Sequence, residues 1–395
     1  MMGRILGLPL LRDHHSHVSL YAALEGCPTL LGLSKEEALR LLRALPGEGL
    51  SIVLGWYSAK LSFTPQELSS LPPVVILNNS LHGMLLSVRA KERLRPTDPE
   101  LVERHAEVEW CERHLAEVLT LYSRLASPSV VKMAALTRRL EAAGVGAAED
   151  MLILDERSLD VVGRDTLCWA DPGIWQGMSA KGRCRVHGFK LFLDGALAMR
   201  TAALSEPYLQ GGDGLLLYGD KALEEKLAGL VPHQKPVAIH AIGGRAISQA
   251  LAVLEKLRLP CVRLEHAQFI DEAQARRAKD LGLVLCMQPN FSVESRDYAD
   301  RLPESHLHSL NPFRMLIDTV GFQPGRDLLF GSDGMPHGAE AAWQWGLFPL
   351  HEGQRLSSEE LSLGYGPSAP GTGAFQLSID EGRRLVKTVS RRDRS

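Results

Sequence analysis

The sequence predicts an α/β chain folded as a (β/α)8 TIM barrel, and three observations lead there. Between residues 236 and 289, short apolar runs alternate with amphipathic stretches, the pattern of βαβ units feeding a parallel sheet. His15, His17, Lys190, His240, His266 and Asp333 stand in or just after such runs, at what would be the ends of several different strands. A barrel gathers strand ends on one face, whereas a doubly wound sheet binds at a switch point, usually beside a glycine-rich phosphate loop. No such loop is present.

Taken in order, residues 13–17 read as a strand edge, and 51–56 and 74–77 as further strands of the barrel. From 99 to 143 charged and apolar residues recur at helical spacing, which predicts a helical insertion over about 95–145 beside the barrel mouth. Strands follow at 186–194, 236–240, 261–266, 283–288 and 328–330. Helices fill 245–257 and 271–281, the second opened by an Asp271 cap. Residues 292–312 are polar and read as a long loop after the seventh strand. The barrel is assigned to 1–350 and a C-terminal tail to 351–395.

Composition bounds the function. The chain has 395 residues, 45% of them apolar and 23% charged, with a net charge of −3, which fits a globular protein with a sizeable core. Near-balanced charge gives no nucleic-acid surface and no polybasic membrane patch. The basic run Arg391–Arg394 reads as a solvated end. The six cysteines lack paired spacing, which argues against a disulfide framework and a cysteine zinc site. No stretch is long enough to span a membrane and the first eleven residues lack a cleavage site, so the expected address is the cytoplasm. The expected partner is a small-molecule substrate; assembly into a homo-oligomer stays open.

The candidate chemistry is metal chemistry, since imidazole nitrogen and carboxylate oxygen suit zinc and its divalent neighbours. His15 and His17 alternate with Ser16, so both rings fall on one side of a strand while His14 faces the other. Alone, such a pair is as often a surface or core feature. Asp13, on the His15 side, is placed to orient a ligand histidine. Lys190 lies in an apolar strand, where an ammonium is costly unless paired or deprotonated. It either pairs with Asp194 on its own face or, as a neutral amine, captures carbon dioxide as a carbamate bridging two metals. His240 and His266 would project from adjacent strands, although singly each reads as a hydrogen-bonded core histidine. Glu265 is placed on the other side of its strand, behind the barrel wall. Asp333 either caps the following helix or ligates metal and accepts a proton. His82 is a candidate for polarising a substrate carbonyl, or an ordinary loop histidine.

The motifs, in this order, resemble the amidohydrolase superfamily, in its amidohydrolase-3, YtcJ-like branch, which includes N-substituted formamide deformylases. The matching segments hold Asp13, His15 and His17; Gly188 to Leu204 around Lys190; Ala238 to Gly243 with Arg245; Glu265 to Gln268; Met287 to Pro289; and Gly331 to Asp333. The resemblance implies a barrel with one or two divalent metals, usually zinc. His15 and His17 would bind the more buried ion, His240 and His266 the second, and Lys190 would bridge as N6-carboxylysine. Asp333 would ligate and act as general base while metal-bound hydroxide attacks a small amide, formamide or cyclic amide. Asp13, Asp194, Arg200 and Gln288 would support the ligands or meet substrate. Members usually carry a small β-sandwich from residues flanking the barrel; here it is expected to be truncated or missing. Gly244 replaces a common aspartate, and Gly334 to His337 replace a Trp-Pro-type sequence, changes assigned to substrate choice. Two other functions stay open: a non-catalytic metal- or ligand-binding barrel, and an esterase or lactonase using the same centre.

Overall fold

The computed structural model describes residues 4–57, 60–78, 81–369 and 373–389; the Arg391–Arg394 run lies outside the described residues. The strands are β1 (Arg4–Pro9), β2 (Leu11–Ser16), β3 (Ser51–Trp56), β4 (Val74–Asn78), β5 (Met84–Leu86), β6 (Val145–Asp150), β7 (Cys168–Ala170), β8 (Val186–Phe192), β9 (Val237–Ala241), β10 (Val262–His266), β11 (Val284–Met287), β12 (Leu328–Phe330), β13 (Ala374–Asp380) and β14 (Leu385–Thr388). Eight of them form one sheet in the order β12-β11-β10-β9-β8-β7-β6-β2, and every pairing in it is parallel. The end strands meet through single contacts: Asp333 N donates to His15 O at 2.7 Å, and Ser332 N donates to Asp13 Oδ1 at 2.9 Å. The sheet thus comes round into the expected barrel.

Helices bury the outer faces of these strands. The helix Gly244–Leu254 turns Ile247, Ala250 and Leu251 inward, into one cluster with Phe189, Leu191, Ile239, Leu264 and Leu285. The helix Glu272–Asp280 begins at Asp271, which accepts from Gln274 N while the Gln274 side chain accepts from Asp271 N. Strands covered on both sides have no solvent-facing side, hence the mainly apolar β8 and β9, interrupted by His187, Lys190 and His240.

The structure corrects several expectations. Residues 51–56 and 74–77 are strands, but β3, β4 and β5 pair only with one another, in a separate three-stranded sheet. The barrel takes β6 and β7 instead. β6 is rich in alanine and glycine and β7 has three residues, so neither shows a readable alternation. The insertion is larger than the helical segment at 95–145: Ala23–Ser129 forms a compact unit of its own. That unit has its own core, with Leu42, Val53, Leu71, Val74 and Ile76 buried together. The helix Val130–Ala142 belongs to the barrel unit, where Leu136 and Leu140 pack with Val18 and Val145.

Residues 351–395 are not a mere tail. β13 returns antiparallel to β1 and pairs with β14, giving a single three-stranded sheet where a sandwich would stand. Its Leu8, Phe375, Leu377, Ile379 and Val386 join the barrel's apolar cluster. The expected loop at 292–312 contains short helices at Glu294–Asp297 and Glu304–Ser309. Among the described residues, no helix is long and apolar enough to cross a membrane.

Candidate metal centre

Register along β2 slips against β6 between Asp13 and Ser16, and His17 follows the strand end. The His15 and His17 rings lie with centroids 5.6 Å apart. Asp333, just beyond β12, sits between them: its Oδ1 is 3.3 Å from His17 Nε2 and 3.7 Å from His15 Nε2. The ligand atoms of these three residues lie within 4.8 Å of one another. From β10, His266 lies tilted 4.7 Å from His15, and from β9 His240 lies 4.5 Å from His266, centroid to centroid. The four histidines therefore form one unbroken row at the strand ends.

Three of the rings are held from behind. His15 Nδ1 is 2.6 Å from Glu265 Oε2, both side chains fully buried. His266 Nδ1 is 2.8 Å from Gln288 Oε1, so Gln288 stands behind a histidine as expected. His240 Nε2 lies 3.1 Å from Gly195 O and 3.5 Å from Asp194 Oδ1. Glu265 does not lie behind the barrel wall. It shares an Arg263 guanidinium with Glu149 at 2.8 and 2.7 Å, and Trp169 Nε1 donates to that second carboxylate at 3.0 Å. The one buried guanidinium offsets one of the two carboxylate charges, and the Lys190 charge also acts on Glu265.

Two carboxylates bind backbone N–H groups around the site, Asp194 in addition to its approach to His240. Asp13 accepts from Ser332 N, from Ser332 Oγ and from His15 N. It positions the His15 backbone, not the imidazole as expected. Asp194 accepts from Ala203 N, Ile242 N and Gly243 N at 2.8–3.0 Å, and it is not hydrogen-bonded to Lys190, whose Nζ lacks such a partner among the described residues. Lys190 Nζ is buried and has no hydrogen-bond partner among the described residues; it lies 5.1 Å from the Phe192 ring centroid. Arg200 is exposed in a left-handed turn, with its charge acting on Asp300. His82 belongs to the inserted unit, where its Nδ1 is 2.8 Å from Glu112 Oε2. His14, expected to face away, lies 3.0 Å from Glu149 Oε1 and 3.1 Å from Tyr365 O.

Electrostatics favour ligand-ready protonation states. Burial, reinforced by the Lys190 charge, holds the His15 imidazole well below its usual range; burial and the neighbouring His15 do the same for His266. Burial brings the Lys190 amine down to about 8, against the opposing pull of Glu265 and Asp333. Burial would raise Asp333, but the His17 hydrogen bond and the nearby His15 and His17 charges outweigh it and hold the carboxyl at about 2. Metal ligands must be deprotonated, and these groups approach that state without metal.

A divalent metal fits the residues present. His15 Nε2 and His17 Nδ1 are buried atoms without hydrogen-bond partners, as is Lys190 Nζ. Zinc–nitrogen and zinc–oxygen bonds of about 2.0–2.1 Å in tetrahedral array set ligand atoms about 3.3 Å apart, close to the separations around Asp333 Oδ1. A histidine tied through one nitrogen to a carboxylate, the other nitrogen left open, is a common metal-ligand arrangement.

Fold and site together make a parallel barrel with candidate metal ligands gathered at its strand ends. The chain belongs to the amidohydrolase family, whose profile matches residues 8–339. It is 32% identical over 134 residues to the putative amidohydrolase YtcJ of Bacillus subtilis, covering 32% of this chain and 25% of that protein. It is 31% identical over 121 residues to LONG AFTER FAR-RED 3 of Arabidopsis thaliana, covering 28% and 20%. The matched segments thus span a quarter or less of these relatives. Its fold is similar to an uncharacterized metal-dependent hydrolase from Pyrococcus horikoshii, with a TM-score of 0.68 and 22% identity over 95% of this chain and 86% of that one. A second such hydrolase, from Pyrococcus furiosus, has a TM-score of 0.65 and 21% identity over 91% and 81%.

Proposed function

We propose that this chain is a metal-dependent hydrolase that cleaves a carbon–nitrogen bond in a small amide, formamide or cyclic amide. The observation that carries this reading is the triangle of His15, His17 and Asp333, with His15 Nε2 buried and unpartnered. Family membership supports it, as does the name of the YtcJ relative. In this reading His15 and His17 hold one divalent ion, zinc by ligand type, and His240 and His266 hold a second. Lys190 would serve as a further ligand if its neutral amine added to carbon dioxide, losing one proton and leaving a carbamate. Its lowered basicity supports that step.

When bound, the metal polarises the substrate carbonyl and acidifies water. Asp333, ionised and beside His17, accepts the proton from the attacking water and later delivers it to the leaving nitrogen. Glu265 and Gln288 hold the His15 and His266 rings in place. His82, paired with Glu112 in the inserted unit, has no part in this reading. The setting proposed is the cytoplasm, on the sequence grounds already given.

The test is metal stoichiometry by elemental analysis of untagged protein purified without chelator. About two ions per chain is the expected result. None, after zinc and bicarbonate are supplied, overturns the reading. A screen of amides, formamides, esters and lactones on the loaded protein then checks the bond: turnover confined to esters or lactones replaces carbon–nitrogen by carbon–oxygen cleavage.

A further inference from the structure

Asp333 stands in the left-handed region, with φ of 57°. Residues with a Cβ seldom adopt that conformation, and it persists only where the surroundings over-determine it. It lies, moreover, where β12 meets β2 without a ladder among the described residues. What holds it is a ring of side chains. Tyr21 donates its hydroxyl to Asp333 O at 3.1 Å. The Tyr21 ring meets His337 edge-on, with centroids 4.7 Å apart. His337 Nε2 lies 2.8 Å from Ser16 Oγ, and Ser16 stands between the two ligand histidines. The ring closes through His17 Nε2 and Asp333 Oδ1 at 3.3 Å.

The altered sequence after Asp333 fits this arrangement. Gly334 has φ of 74°, and a Cβ there would run into the Tyr21 ring and approach His337 Cε1 to 2.8 Å. Glycine is what lets the two rings close over the turn. Across the turn, Asn290 Nδ2 donates to Ser332 O and Met335 O, both at 3.0 Å.

We propose that Ser16, Tyr21 and His337 form a clasp that fixes Asp333 against His15 and His17, making His337 a positioning residue of the metal centre rather than part of a specificity loop. The proposal rests on reading His15, His17 and Asp333 as a metal centre. A clasp of this kind acts on the ligand field, so its loss registers in the metal's spectrum and affinity.

The experiment loads the full chain with cobalt(II) and follows its visible absorption and its affinity by chelator competition. The variants are Ser16→Ala, His337→Leu, the two combined, and His337→Gln. Each single loss should shift the cobalt band and weaken binding about 10–100-fold. The double variant should be no worse than either single one, because both remove the same contact. Glutamine, which keeps a hydrogen-bonding group for Ser16, should recover binding to within about 3-fold of the original chain. Variants with an unchanged unfolding midpoint and an unchanged cobalt spectrum overturn the clasp. Additive losses, with glutamine no better than leucine, overturn it as well and reduce His337 to packing. If His337→Leu does not fold, Tyr21→Phe removes one hydroxyl and is held to the same spectral criterion. If the unaltered chain takes up no cobalt, the metal reading itself fails and the clasp falls with it.

Discussion

The two sides of the candidate centre are built differently. Lys190, His240 and His266 ride on β8, β9 and β10, neighbours in one continuous parallel ladder. Backbone hydrogen bonds between adjacent strands set their level at the barrel mouth. His15, His17 and Asp333 lie across the seam between β2 and β12, where side chains do that work: Asp13 reaches Ser332 across 319 positions of sequence. A ladder positions ligands through a repeating pattern, whereas a seam needs particular side chains at particular places. The seam should therefore be the more sensitive of the two to point substitution.

The largest expected effect is at the seam's reactive group. Asp333→Asn should lower turnover of the best substrate by about 100- to 10,000-fold while largely retaining metal, measured by steady-state kinetics beside elemental analysis. A metal-loaded, fully active Asp333→Asn protein would remove Asp333 as the proton acceptor.

Lys190→Met probes the ladder side. An amine at about 8 in the folded chain, against an ordinary 10.5, means that the unfolded chain binds more protons between those values. The stability of metal-free protein should then rise with pH through that window. The methionine variant should be more stable at pH 7 by about 3 kcal/mol, an advantage that shrinks toward pH 10.5. Urea unfolding at pH 7 and 10 checks it, and an advantage that is the same at both pH values contradicts the buried-amine reading.

Asp13→Ala and Asp194→Ala set the two sides directly against each other. Each strands several buried donors and should cost about 2–4 kcal/mol. Asp13→Ala should empty the His15 and His17 position first, and Asp194→Ala the His240 and His266 position. Losing both ions together in either variant would show the two sides to be one unit. Glu265→Gln keeps the shape but not the charge behind His15, and should weaken metal binding about 10-fold, read by chelator competition. Smallest of all, Asp13→Asn retains an acceptor for Ser332 N and His15 N. Burial already raises this carboxyl to about 7, so the cost should stay below about 1 kcal/mol by urea unfolding.

Much of the ladder side was legible in the sequence. Largely apolar runs at 186–194, 236–240, 261–266 and 283–288 ended close to where β8 to β11 end, because strands covered by helices on their outer face carry few polar residues beyond those turned into the barrel. Histidines just after such runs have one place to go, the mouth. Glu265 was misplaced because strand alternation puts it opposite His266. His266 and Ala267 in fact take positive φ, so the chain turns there and both side chains serve the same centre. β6 and β7 were missed because too few apolar residues mark them, and β3 and β4 were assigned to the barrel because alternation names a strand without naming its partner. Tyr21 and Asn290 lie in no motif, and nothing in the segments that hold Ser332 and His337 shows what those side chains touch; only spatial proximity does.

By itself, then, the sequence determined the parallel barrel and the residue types delivered to its mouth, since both follow from local periodicity and burial. Tertiary structure alone decided which strands close the barrel, that Ala23–Ser129 forms a separate unit, that β13 and β14 return to pair with β1, and what holds Asp333. These depend on contacts between residues far apart in the chain, whose free energy is set by geometry and burial that no local pattern encodes.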